Sequence, residues 1–131
     1  MTSQATSSQR ELLFVSHANP EDNEFAKWLT VRLAEEGYPV FCEIFDFLGG
    51  EDAWKNIQTV LRERTIKFLF VLSKVSNEKD GVRNELNQAI QIAKKHGLEY
   101  FIIPLKIEDF PHHDVCIELE LVSKVVEMEK S

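Results

Sequence analysis

Short apolar runs alternate with segments of helical periodicity along this chain of 131 residues. The runs occupy 12–15, 38–42, 67–72 and 100–105, and a short fifth one is expected within 117–127. Between the runs, apolar residues recur at spacings of three and four, as they do on the buried face of a helix. The run at 67–72, KFLFVL, lacks internal alternation, which is typical of a strand covered on both faces. Regular alternation of strand and helix predicts a parallel sheet, because parallel strands are joined by crossover helices.

Three helices are predicted between the strands. The first follows Asn19 and Pro20, which suit the cap and the first position of a helix, and ends at Gly37. The third follows the polar loop at 73–81 and ends at Gly97. The second follows a glycine-containing loop, and its inner face is formed by Trp54, Ile57 and Leu61.

The expected fold class is α/β, a flavodoxin-like three-layer sandwich whose five-stranded parallel sheet has the order 2-1-3-4-5. Residues 1–10 are polar and rich in Ser and Thr, so we expect a disordered tail there and one domain at 11–131. A final helix that would cover the fifth strand is missing from the pattern. The chain is therefore expected to be a fragment of a longer protein, or to be covered by a partner on that face.

Composition and charge narrow the class of partner. The formal net charge of −7 argues against direct nucleic-acid binding, which draws on a basic surface. No apolar run approaches the roughly 20 residues that span a bilayer, and the N-terminus lacks the apolar segment of a secretory signal. Cys42 and Cys116 lie in or beside apolar runs, as expected of buried thiols in a cytoplasmic protein. We expect a cytoplasmic domain with no membrane partner.

Ligands of open parallel sheets bind beyond the carboxyl ends of the strands, near the point where strand order reverses. Glu85, at the start of the third helix, lies at the border of its buried face. From periodicity alone, complementing the helix dipole is favoured for Glu85 over pointing into a cleft. The other candidates at the strand ends are Ser16, His17 and Ala18 after the first strand, Asp46 and Gly50 in the loop at 43–51, and Ser73 after the third strand.

Several activities found on this fold are disfavoured by these residues. A response-regulator receiver needs aspartates where Ser16, His17 and Ser73 stand, and the SHANPED segment has no glycine for an FMN phosphate loop. No GxGxxG or GxxxxGK[ST] stretch is present. His112 and His113 are adjacent, and neither cysteine has a partner at metal-ligand spacing, so no metal site is expected.

Five segments together resemble the TIR (toll/interleukin-1 receptor) domain family over residues 11–127. They are FVSHANPED at the first strand, YPVFCEI at the second, FDFLGGED at the family's BB loop, FLFVLS at the third strand and GVRNEL at the following helix. The sequence of these segments is most similar to that of bacterial TIR domains of antiviral defence proteins, where the domain is commonly joined to a sensing module in cis or trans.

The resemblance implies cleavage of NAD, which is the substrate, with no cofactor. Glu85 matches the catalytic glutamate of the family's Trp-x-x-x-Glu motif, whereas Gly81 stands in place of the tryptophan. Trp54 matches an aromatic position that lines the nucleotide pocket, and an equally weighted interpretation is a core anchor. Nicotinamide leaves as a neutral base, so no general acid is needed, and an ionised Glu85 would stabilise the cationic sugar. We expect the helix start to keep Glu85 ionised at neutral pH.

Assembly is also implied by the resemblance, since TIR active sites are often completed by the BB loop of a neighbouring protomer. An NAD glycohydrolase or cyclase activated by self-association is the leading expectation. A non-catalytic TIR adaptor making TIR–TIR contacts is the alternative, and nucleoside transfer on a similar fold is a weaker one. The interaction loop is expected at the apolar residues Ile44, Phe45, Phe47 and Leu48. They form an association patch if they are exposed and belong to the core if they are buried.

Overall fold

The computed structural model describes residues 10–43, 57–109 and 126–127. Its strands are β1 (Leu12–Ser16), β2 (Val40–Cys42), β3 (Thr65–Leu72), β4 (Ile102–Lys106) and β5 (Val126–Glu127). Its helices are α1 (Asn23–Glu35), α2 (Lys74–Glu78) and α3 (Asp80–His96), and a helical turn of π type, Val60–Arg64, leads directly into β3.

All strand pairs in the sheet are parallel, and the order is β2-β1-β3-β4-β5. Four strands form its body, and the two-residue β5 pairs with the end of β4, where Val126 lies opposite Leu105. The predicted fold class and strand order are therefore confirmed. Strand order reverses between β1 and β3, so the carboxyl ends of these two strands frame the expected crevice.

The core is divided by the sheet into two clusters. Phe68, Phe70 and Leu72 face the side covered by α3 and the 57–64 segment, where Leu61 and Leu86 are buried. The alternate residues of β3, Leu69 and Val71, face α1 and pack with Phe25, Ala26 and Leu29. Both faces of β3 are covered, as the unalternating run predicts, because successive side chains of a strand point to opposite sides of the sheet.

Helix α1 begins later than the sequence suggests. The prediction that Asn19 caps it and Pro20 opens it is wrong, because residues 19–22 form a turn and the helix starts at Asn23. The backbone NH of Asp22 donates to the Ala18 carbonyl at 2.8 Å, which closes that turn. The carboxylate of Asp22 is engaged by Ser73, far away in sequence, so it leaves the helix without a side-chain cap.

The polar segment after β3 is helical, whereas the sequence predicts a loop. Ser73 caps α2 reciprocally with Ser76: the Ser76 NH donates to Ser73 Oγ at 3.1 Å, and the Ser73 NH donates to Ser76 Oγ at 2.8 Å. Two orphan NH groups are satisfied in this way, which stabilises a helix of one turn. Only Lys79 separates α2 from α3. The short helix α2 therefore leads directly into the start of α3.

The glycines predicted to end two helices are confirmed in that role. Gly37 and Gly97 have φ values of 94° and 63°, which L side chains adopt only with strain. None of the described helices is long and apolar enough to cross a membrane.

Thr30 on α1 offers a stability test away from the strand ends. Its hydroxyl is buried and has no hydrogen-bond partner among the described residues. Thr30→Val should raise the free energy of unfolding by about 1 kcal/mol, because the variant removes a desolvated hydroxyl and keeps the side-chain shape. Urea unfolding followed by circular dichroism measures this change. A loss of stability would indicate that the hydroxyl is bound to water or to another polar group.

Candidate active site

Glu85 and Ser16 meet at the carboxyl end of β1. The Ser16 hydroxyl donates a hydrogen bond to Glu85 Oε1 at 2.5 Å. Ser16 is the last residue of β1, and Glu85 lies in the first turns of α3. The structure therefore brings together two residues that the sequence places at a common site, at the strand end predicted for it.

Packing of α3 fixes the direction of Glu85. Val82 and Leu86, three positions before and one after it, are buried in the cluster between α3 and the sheet. Glu85 is consequently at the edge of that buried face: the residue as a whole is half-buried, and its carboxyl is the buried part. The carboxylate points from α3 toward the strand ends rather than into bulk solvent, as its bond to Ser16 shows.

The electrostatics of Glu85 differ from the sequence expectation. Burial raises the pKa of the Glu85 carboxyl to about 7, the negative charge of Glu43 adds to the rise, and the Ser16 hydrogen bond opposes it. A helix start favours the ionised form, but burial of the carboxyl acts in the opposite direction, so Glu85 is not held fully ionised at neutral pH as expected. A carboxyl of this pKa is protonated in about half of the molecules at pH 7.

His17 directly follows the end of β1 and is 5% exposed. Its Nε2 is 2.8 Å from Asn23 Oδ1, which ties it to the first turn of α1. Burial lowers the pKa of the imidazole, so the ring is neutral at neutral pH. Ala18 beside it is fully buried. These two residues support the loop after β1, and their predicted contact with a ligand stays a prediction.

Ser73, directly after β3, is hydrogen-bonded to Asp22 in the segment between β1 and α1. Its hydroxyl donates to Asp22 Oδ2 at 2.5 Å, and burial raises the pKa of the Asp22 carboxyl. Lys79 donates both to the Asn19 carbonyl and to Glu21, each at 2.7 Å. The loop after β1 is therefore tied to the segment between β3 and α3 at two points, which frames the crevice.

Two acidic residues of this region, Asp22 and Glu43, are not among the individual site residues that the sequence predicts. Asp22 lies in the turn before α1, and Glu43 follows β2 at the start of the candidate loop at 43–51. Their charges act on the site, Asp22 on His17 and Glu43 on both His17 and Glu85. The position of Glu43 directly after β2 is the signal that could have identified it, whereas Asp22 lies well beyond the end of β1 and carries no such signal. No metal-ligand cluster is found in the described parts of the chain.

Several predicted site residues lie outside the described residues, so their roles stay predictions. They are the substrate-binding candidates Asp46, Gly50 and Trp54 and the interaction-loop residues Ile44, Phe45, Phe47 and Leu48.

The described residues form a domain of the parallel α/β class, with a buried carboxyl group at the tip of β1. The sequence profile of the TIR domain family matches residues 13–126 of this chain. The chain therefore belongs to the TIR domain family.

One relative is similar to this chain over most of its length. The uncharacterized protein y4cD of Sinorhizobium fredii is 34% identical over 102 residues, covering 78% of this chain. The chain spans only 16% of the length of that relative.

Two solved structures have the same fold. The TIR domains of the activated Roq1 resistosome, which directly recognises the pathogen effector XopQ, superpose with a TM-score of 0.63 at 20% identity, over 75% of this chain and 58% of that one. A prokaryotic SEFIR domain superposes with a TM-score of 0.58 at 16% identity, over 78% of this chain and 71% of that one. At these identities the likeness shows the fold alone.

Proposed function

We propose that this TIR domain cleaves the nicotinamide–ribose bond of NAD, as a glycohydrolase or cyclase, with Glu85 as the catalytic residue. The observation that carries the proposal is the placement of the Glu85 carboxyl at the tip of β1, held by Ser16. A buried carboxyl with a strongly raised pKa is uncommon outside functional sites. The position is also where ligands bind in sheets of this topology.

The reaction needs one anion and no acid. Nicotinamide is a pyridinium in NAD and departs as a neutral molecule when the C1′–N bond breaks with both electrons going to nitrogen. The ribose is left as an oxocarbenium-like cation, and ionised Glu85 stabilises it across a short, desolvated distance. Water then attacks C1′ and releases a proton to solvent, giving ADP-ribose; capture by the adenine of the same molecule gives a cyclic product instead.

The raised pKa of Glu85 is compatible with this role. The pyridinium of an approaching NAD is a positive charge, and a positive charge beside a carboxyl favours its ionised form. The negative charge of Glu43 attracts the same group, and the neutral ring of His17 does not repel it. A carboxylate that is poorly solvated in the free protein binds a developing cation more strongly than a fully hydrated one.

Activation by assembly is part of the proposal. Self-association through the loop at 44–48 would supply a neighbouring BB loop to the site, as the family resemblance implies. The long Sinorhizobium relative is consistent with a TIR domain joined to a further module, so we propose a sensing module in cis or trans. Bacterial antiviral defence in the cytoplasm is the setting that these features favour.

A non-catalytic TIR adaptor is the second candidate, and Gly81 favours it. The tryptophan of the NAD-cleaving motif is absent there, and a Cβ placed on Gly81 would meet nothing within 4 Å. The described residues therefore leave room for a side chain at position 81, so packing does not explain the glycine. Without the tryptophan, the aromatic contact of the NAD-cleaving motif is missing.

Nicotinamide release separates the two functions. The purified domain is incubated with NAD at high protein concentration and with a macromolecular crowder that promotes assembly, and nicotinamide and the ribosyl product are quantified by mass spectrometry. Release that rises more steeply than protein concentration supports an enzyme activated by assembly. Self-association without release identifies an adaptor.

A further inference from the structure

We infer that Ser16 is a positioning residue, whose hydroxyl holds Oε1 of Glu85 so that Oε2 is presented to a ribose hydroxyl of the bound dinucleotide. The inference rests on the proposed function, because it assigns a ligand to Oε2. It gives Ser16 a role through Glu85 rather than a direct contact with substrate.

The placement of Ser16 in the sheet makes its hydroxyl a fixed donor. Ser16 ends β1, which lies between β2 and β3, and it pairs with Phe70 of β3. It is 1% exposed. Residues two apart on a strand share a face, so Ser16 points to the same side as Phe14, which packs in the cluster with Leu86 of α3. The hydroxyl is therefore directed at α3 by the strand itself.

The two oxygens of Glu85 have different surroundings. Oε1 accepts from Ser16, whereas Oε2 has no hydrogen-bond partner among the described residues. An ionised carboxylate can accept on both oxygens. A single donor on Oε1 restricts rotation of the carboxylate and leaves the acceptor capacity of Oε2 for a ligand hydroxyl.

The charges around Glu85 give Ser16 a measurable second effect. Glu43, from the end of β2, is the charged group whose field acts on Glu85, and Ser16, from β1, donates the opposing hydrogen bond. Burial and Glu43 both favour the protonated carboxyl, and Ser16 favours the ionised one. Removing the hydroxyl should therefore make Glu85 harder to ionise.

The test combines a titration with kinetics. The side-chain carboxyl carbon of Glu85 is titrated by NMR in the wild-type domain, in Ser16→Ala and in Ser16→Thr, which keeps the hydroxyl on a side chain suited to a strand. Thr30→Val is the matched control, since it removes a buried hydroxyl that has no partner among the described residues. Thermal unfolding confirms that each variant is folded.

Ser16→Ala is expected to raise the pKa of Glu85 by about one, because a hydrogen bond to a charged group has about that strength. The acid limb of kcat/KM for nicotinamide release should move by the same amount, so activity falls roughly fivefold at pH 7 and largely recovers at pH 9. Ser16→Thr and Thr30→Val should titrate as the wild type does.

An unchanged Glu85 pKa in folded Ser16→Ala would overturn the inference, and so would a loss of activity that is equal at all pH values. If the wild-type domain releases no nicotinamide, the proposed function fails. The NMR titration then still decides whether Ser16 holds Glu85, because it needs no turnover.

Discussion

Glu85→Gln is expected to lower kcat/KM for nicotinamide release by a factor of about 100 to 1000, the range found when one preorganised charge-stabilising group is removed. Glutamine has the same shape, and its amide oxygen can still accept the hydrogen bond from Ser16. The variant therefore removes the negative charge and keeps the geometry around it. Initial rates of nicotinamide release at pH 8, where wild-type Glu85 is mostly ionised, measure the effect.

The matched control for this prediction is Glu78→Gln. Glu78 is an exposed carboxylate on α2, close in sequence to the site and outside it. It should release nicotinamide at the wild-type rate. A folded Glu85→Gln protein with wild-type activity would remove Glu85 from the chemistry and leave the adaptor as the function of the domain.

The same Glu85→Gln change is expected to stabilise the fold, by up to about 3 kcal/mol at pH 8. Folding raises the pKa of Glu85 from 4.5 to about 7, so the protonated form is favoured in the native state. The stability that this preference contributes is complete below pH 4.5 and is lost as pH rises through about 7. A tenfold change in the ionisation constant corresponds to about 1.4 kcal/mol, and the neutral amide avoids the loss.

Urea unfolding between pH 5 and pH 8 measures this second effect. The difference in unfolding free energy between Glu85→Gln and the wild type should widen up to pH 7 and stay constant above it. Glu78→Gln is measured in the same series as the exposed-site control. A gap that is flat with pH, or a variant less stable than the wild type, would mean that the ionised carboxylate is satisfied in the fold. A group kept at a cost in stability is expected at a functional site.

The strands and their order could be predicted from the sequence because burial on both faces leaves a local signal. The run at 67–72 is apolar at every position but the first, and β3 contains it whole. The ends of the strands were predicted less accurately than their order. β2 begins at Val40 rather than Tyr38, since Tyr38 is exposed and Pro39 has no NH to give to a neighbouring strand.

The start of α1 and the helix α2 could not be predicted, for two different reasons: a distant residue decides the first, and the local signal for the second is weak. Asp22 is held by Ser73, which is 51 positions away, and this contact belongs to the tertiary fold. The capping pair of Ser73 and Ser76 is local, but a serine at the third helical position is a weaker signal than the usual Glu or Gln.

The proximity of Glu85 and Ser16 could be predicted from the sequence, and the charge state of Glu85 could not. Glu85 and Ser16 could be placed at one sheet edge from topology alone. The pKa of Glu85 depends on desolvation by the folded chain and on Glu43, which follows another strand, and neither effect is visible in the helix periodicity.

The pH dependence of kcat/KM for nicotinamide release by the wild-type domain tests most directly whether an ionised Glu85 carries the reaction. If it does, kcat/KM reaches a plateau at alkaline pH, is half-maximal near pH 7 and falls tenfold per pH unit below that value. A profile that is flat between pH 5.5 and pH 8.5, or one that rises as pH falls, would contradict this role of Glu85.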